Sequence, residues 1–255
     1  LVRNFTRSAI LSLTRGWFTK SAPVKNCLVK RYSKKIAWAS ATFAFLADIA
    51  IAKFGGNLKR KEKLNGRFGD VLSALYIATC ILKKFEEEGF DKSMKPIVEY
   101  GLKKQLMAAQ TAIEGIYQNM FTGIFSKIIF TPFAFFARFN AFTCPPKDSD
   151  QRKMVENVIK TCKVRDSLTE NVFVSDDIRD NLGRLENALK IYEANIPSID
   201  KIKNAVKKGN LPKKPVSLLV KKALATKVVT SKEAERLTQC FKLVVDAMEV
   251  DHESI

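Results

Sequence analysis

Histidine is nearly absent from these 255 residues: His252, close to the end, is the only one. With that one histidine in the tail, a histidine-ligated metal centre and a histidine-based nucleophilic triad are essentially excluded. The five cysteines, Cys27, Cys80, Cys144, Cys162 and Cys240, are scattered and form no CxxC pair. An odd, unclustered set without a secretory signal suits buried, reduced thiols in a cytoplasmic protein. There is no GxGxxG, no P-loop and no GxSxG, so dinucleotide, nucleoside triphosphate and serine-hydrolase chemistry lose their usual signatures. Acidic residues are scarce at the start. Through Arg67 only Asp48 and Glu62 stand against fifteen Lys and Arg, which puts about +13 of the net +18 in the first quarter. Such a field favours anionic partners.

Hydrophobic residues make up 46% of the chain, enough for a real core and too many for global disorder. Their spacing is helical almost throughout, and strand signals are weak. The first half reads as helices over 1–18, 24–54, 57–88 and 94–129. The second of these carries IAWASATFAFLADIAIA, residues 36–52, an apolar run interrupted by Asp48. It is short for a membrane span and carries a charge, so a buried core helix is expected.

The segment Gly55–Gly89 is the most distinctive. Phe68, Val71, Leu72, Leu75, Ala78, Thr79 and Leu82 recur at helical spacing and predict one apolar stripe. Gly55 and Gly56 break the preceding helix, Asn57 suits an N-cap, and Gly89 suits a stop. The end charges oppose the helix dipole: Lys59, Arg60, Lys61 and Lys63 crowd the start, and Glu86, Glu87 and Glu88 crowd the end. Each exposed mismatch costs roughly 0.3–1 kcal/mol at low salt. A hairpin folded at the glycine pair would bring Lys25 to Glu86 as a compensating pair. Solvated charge on an exposed face is the alternative.

Residues 120–142, MFTGIFSKIIFTPFAFFARFNAF, hold eight of the eighteen Phe, with Pro132 near the centre. They suit either a buried aromatic layer or a monotopic membrane element. In the second case Phe121, Phe125, Phe130, Phe133, Phe135 and Phe136 would insert while Lys127 and Arg138 meet anionic head groups. CPPKDSD, residues 144–150, is a breaker and the expected boundary between a helical bundle (1–143) and an extension of shorter helices (144–255). In the extension, Ser175 is a candidate cap, Ser198 a candidate helix start and Pro215 a helix entry. Thr230 with Glu233 is a capping box. The expected fold class is all-α.

Four stretches carry a family resemblance: TRSAILSLTRG (6–16), residues 30–89 in order and spacing, SKIIFTPFA (126–134, with Thr131 inserted) and LVVDAMEVDHES (243–254, with His252 where an acid is usual). Together they are similar to the C-terminal helical region of the large proteobacterial acyl-coenzyme A dehydrogenases of fatty-acid β-oxidation. Residues 150–228 match only loosely. The resemblance implies an FAD-dependent oxidoreductase that converts a long-chain acyl-CoA to a trans-2-enoyl-CoA. It also implies a homodimer in the full-length form and a cytoplasmic site of action, peripheral to the inner membrane. The Glu-Gly-containing segment with the catalytic glutamate, and the flavin and acyl-chain segments, have no counterpart in these residues. No residue is therefore assigned as catalytic, cofactor-binding or metal-binding, and the chain alone is expected to hold no FAD. Its chief partner would be the N-terminal catalytic part. The first eighteen residues are basic and amphipathic like a targeting peptide, but a start within a helix of a longer protein explains them better. The competing function is a stand-alone basic helical protein for anionic lipid or nucleic acid. Nucleic acid is disfavoured because the Phe cluster lies apart from the densest basic region.

Overall fold

Local signals set where the helices begin and end. In this computed structural model the described residues are 1–19, 23, 25–120, 140–160, 162–175, 177 and 180–249. Helix α1 spans Val2–Leu13, and its exit turns sharply through Gly16 at φ +78. A Cβ there would stand 2.9 Å from the Lys34 carbonyl oxygen, so only glycine fits this approach to the next helix. Helix α2 is Cys27–Phe54, and the Asn26 side chain caps it by accepting from the Leu28 and Val29 amides. It stops at Gly55, whose φ of 50 and ψ of −130 suit glycine alone. Helices α3 (Glu62–Glu87) and α4 (Lys95–Met120) follow, with α5 (Asp148–Lys160) and α6 (Cys162–Thr169) after the 140–147 segment. Helices α7 (Asn181–Lys207), α8 (Val216–Ala225) and α9 (Ser231–Met248) complete the chain. No strand occurs among the described residues, as the helical spacing predicts.

The chain divides into two compact units, 1–170 and 171–255. The division falls beyond the expected 143/144 boundary because α5 and α6 are tied into the first unit. Lys103 on α4 donates to Asp150 at 2.7 Å, Lys163 pairs with Asp91 at 3.0 Å, and the Asn157 amide donates to the Ser93 carbonyl. The bonds to Lys103 and to the Lys147 amide hold the Asp150 carboxyl below its usual range.

In the first unit α3 and α4 form the most extensive pairing, with α2 against both, α1 against α2 and α5 against α4. Leu102, Leu106, Ile113, Ile116 and Met120 of α4 are essentially inaccessible, as are Leu46, Val71 and Ala78 from α2 and α3. Fully burying one such large side chain contributes about 1.5–3 kcal/mol. The stripe on α3 is rotated from the expected one. Leu64, Val71, Ala74, Leu75, Ala78, Leu82 and Phe85 face inward, while Leu72 is 58% exposed. Helix α2 is the one described helix long and apolar enough to cross a membrane by length and composition. Its Trp38, Ala39, Ala41, Leu46 and Ala50 are packed into this core.

The reversed charges of Gly55–Gly89 have a local resolution. Residues Gly55–Arg60 form a 3₁₀ turn, and α3 starts only at Glu62, with no side-chain cap from Asn57 or any other residue. Lys59 and Arg60 thus lie outside the α-helix, and Glu62 places a favourable acid in its first turn. At the other end the acids find partners one turn back. Lys83 lies 3.5 Å from Glu86 and 3.9 Å from Glu87, and Lys84 lies 2.7 Å from Glu88.

The second unit has its own core, built from Ile199, Ile202, Leu219, Val220, Leu237 and neighbours on α7, α8 and α9. Two expectations are corrected here. Ser175 does not cap a helix; Asp180 caps α7 through the Gly183 amide. Ser198 starts no helix, since α7 runs unbroken through Pro197. An interior proline costs about 3 kcal/mol, and burial of Ile199, Ile202 and Ala205 just beyond it offsets that cost. Pro215 does lead into α8, and Thr230 and Glu233 form the expected capping box on α9.

Glu233 is held down to about 2 from 4.5, first by the Lys201 ammonium at 2.6 Å and then by the Thr230 amide. A carboxyl lowered by folding stabilises the native state above its unfolded value and loses that contribution as pH falls through its folded value. The thermal midpoint of the second unit should therefore drop between about pH 4.5 and pH 2. Glu233→Gln should lower the midpoint at pH 7 and remove most of this slope, which melts monitored by circular dichroism would check.

Candidate functional site: an apolar cavity closed by a polar seam

A partly open apolar cavity of about 200 Å³ lies in the first unit, between α1, α2, α4 and residues 140–142. Phe5, Ala9 and Leu13 come from α1, Trp38 and Phe45 from α2, Ile113 and Tyr117 from α4, and Phe142 from the segment before α5. Helical spacing delivers each set to one face: residues 5, 9 and 13 are four apart, and 38, 42 and 45 are one turn apart. The Trp38 and Phe142 rings meet edge to face at 4.6 Å, an arrangement favoured by aromatic quadrupoles.

A seam of hydrogen bonds holds these elements together. Trp38 Nε1 donates to Ser12 Oγ at 3.0 Å. The Asn140 amide donates to the Ser12 carbonyl, and its oxygen accepts from Arg15 Nε at 3.1 Å. Gln110, 2% exposed in the middle of α4, accepts from the Phe142 amide at 3.3 Å and donates to Glu114 at 3.0 Å. Thr42 turns back to the Trp38 carbonyl at 3.2 Å. Burial pushes the Tyr117 hydroxyl up to about 12.

The sequence-predicted site residues fall elsewhere. Phe121, Phe125, Lys127, Phe130, Phe133, Phe135, Phe136 and Arg138 lie outside the described residues. Lys25 and Glu86 are not brought together: Glu86 is partnered by Lys83 of its own helix. The helix sets an i, i+3 neighbour in place, whereas a cross-helix pair must order two long side chains for a gain of about 0–1 kcal/mol. The cysteines are also corrected, because Cys27, Cys80 and Cys144 are exposed and only Cys240 among the described thiols is buried. No cluster of three metal-ligating side chains occurs among the described residues. The cavity itself escaped sequence reasoning because its walls come from four separate segments. One signal was available: Gln110 sits in line with Leu106, Ile113 and Tyr117 on an otherwise apolar face.

Residues 1–252 match the family described as acyl-CoA dehydrogenase, C-terminal, bacterial type. The chain belongs to that family. The match spans both structural units and agrees with an all-α C-terminal region of an oxidoreductase family. No solved structure matches the chain.

Gln110 is the seam's most consequential member, since its loss strands the Phe142 amide in a buried position. Gln110→Leu should destabilise the first unit by about 1–3 kcal/mol, measured by urea denaturation, whereas Gln105→Leu on the lining of an open groove should change it by less than about 0.5 kcal/mol.

Proposed function

We propose that this chain is the C-terminal portion of a long-chain acyl-CoA dehydrogenase of fatty-acid β-oxidation, whether joined to the catalytic part in one polypeptide or made apart from it. The family match over residues 1–252 carries this reading. In the complete enzyme an FAD held by the catalytic part would supply the hydride acceptor for converting an acyl-CoA to a trans-2-enoyl-CoA. The apolar cavity does not fit the flavin: a cavity of 150 Å³ holds benzene, so one of about 200 Å³ is too small for a tricyclic isoalloxazine. No step of the reaction is assigned to this chain. Its contribution is packing: the bundle of the first unit supports the catalytic part and the contacts of a homodimer. The exposed Leu72 and Tyr76 on the outer face of α3 are suited to such a contact.

The experiment that tests the reading is spectroscopic. The isolated chain should purify without a flavin absorbance band and should not reduce an electron acceptor with palmitoyl-CoA. Coexpression with a catalytic part of the same family should yield a complex that does both. A flavin band from the isolated chain, or a failure of the two parts to associate, would count against it.

The second element of the proposal is docking at an anionic membrane in the cytoplasm. At the start of the first unit Leu13, Trp17 and Phe18 are 73%, 78% and 76% exposed, and Phe18 shares a groove with Arg3 and Arg7. Apolar and aromatic residues next to arginine suit the boundary between head groups and acyl chains, where each cation near the surface contributes about 1 kcal/mol. In flotation, vesicles with anionic lipid should carry the chain and neutral vesicles should not. The double variant Trp17→Ser, Phe18→Ser should reduce recovery several-fold. Equal recovery with both vesicle types, or a gel shift with DNA at lower concentration than lipid binding requires, would favour the basic nucleic-acid binder instead.

A further inference from the structure

The hydrogen-bond ledger of the cavity does not close. Six side chains on its lining carry polar groups besides the indole: Ser8, Ser12, Thr42, Gln110, Tyr117 and Asn140. Four of them are bonded within the seam. The hydroxyls of Ser8 and Tyr117 have no hydrogen-bond partner among the described residues, although the two residues are only 6% and 8% exposed. Neither is sealed off, because the fully enclosed and unpartnered polar atoms are Ser93 Oγ and Arg184 Nε, in other places. Both hydroxyls therefore keep contact with accessible space while nine-tenths or more of each residue is buried.

Water entering the cavity can satisfy both hydroxyls, and Ser8 forgoes the usual bond to a carbonyl one turn back in its own helix. A ligand oxygen can take the place of that water. No Lys, Arg, Asp or Glu lines the cavity among the described residues. Arg15 reaches its edge only through Asn140. The rest of the wall is apolar and aromatic. By the benzene comparison, a space of about 200 Å³ accommodates a molecule of roughly eight to ten non-hydrogen atoms.

We propose that this cavity binds a small neutral molecule with an apolar body and a single oxygen, an alcohol or carbonyl compound, whose oxygen hydrogen-bonds to the Ser8 and Tyr117 hydroxyls. The inference is independent of the dehydrogenase reading. It requires no flavin, no acyl-CoA and no catalytic partner. Charged ligands are discriminated against, because the described lining offers a carboxylate an apolar wall and no cation.

The chain carries its own reporter. Trp38 lines the cavity, and the other tryptophan, Trp17, is 78% exposed, so the Trp17→Phe variant leaves Trp38 as the sole indole. In that background 1-octanol and para-cresol, as aliphatic and aromatic probes, should each be titrated against Trp38 emission, with octanoate as the charged control. Saturable one-to-one binding of at least one neutral probe is expected, with octanoate at least tenfold weaker. Tyr117→Phe should weaken the neutral probe roughly five- to tenfold, as loss of one hydrogen bond predicts, and Ala9→Leu should abolish binding by filling the space. A circular dichroism melt establishes that each variant is folded. If Ala9→Leu does not fold, Tyr117→Phe and Ser8→Ala carry the test. The proposal is overturned by no saturable response to either neutral probe, by octanoate binding as tightly as octanol, or by undiminished binding in folded variants of both hydroxyls.

Discussion

Helix α4 cannot stand as a surface helix. Val98, Leu102, Leu106, Ala109, Ile113, Ile116 and Met120 form its main apolar stripe, and Gln110, Ala112 and Tyr117 widen it. A stripe that wide needs more than one neighbour. Helices α2, α3 and α5 supply the cover, and α1 reaches the same core through α2 and the seam at Ser12. The position of nearly every other element in the first unit follows from that demand. The glycine exits at Gly16 and Gly55 permit the reversals that return α2 and α3 to α4, and the Lys103–Asp150 bond brings α5 onto it.

Close cover over α4 has a price at its polar position. Gln110 is buried with the apolar side chains, so its amide must be satisfied inside the protein. The chain meets this need by bringing the Phe142 amide and Glu114 to it. Asn140 does the same for Ser12 and Arg15. Residues 140–142 are thus held by polar bonds as much as by the Trp38–Phe142 ring contact. The cavity is what remains where α1 crosses this assembly and side chains from four segments do not completely fill the space.

The second unit obeys simpler rules. A capping box starts α9, a proline leads into α8, and an amphipathic face on each helix meets a common core. At one corner of it Lys201, Thr230 and Glu233 are bonded together. That corner links helix initiation to packing: Glu233 serves the α9 cap and the cross-helix pair with α7 at once. Family membership over 1–252 covers this unit as well as the first, although residues 150–228 carry the weakest resemblance.

Periodicity, caps and glycine breaks were enough to read an all-α chain, the α2–α3 reversal at Gly55, the T-x-x-E box and, through residues 30–89, the family. They acted locally, and local rules survive in any surrounding. The same signals misplaced Asn57, Ser175 and Ser198 as caps or starts, because a polar residue marks a candidate end and burial of the neighbouring apolar residues decides whether the helix stops there. Only tertiary packing could show that α5 and α6 belong with the first unit, that Glu86 turns to Lys83 rather than Lys25, and that Leu72 faces outward. The cavity with its two unpartnered hydroxyls also belongs to that level. Ser8 and Tyr117 stand more than a hundred positions apart in the sequence, and they share one space only because α1, α2 and α4 pack together.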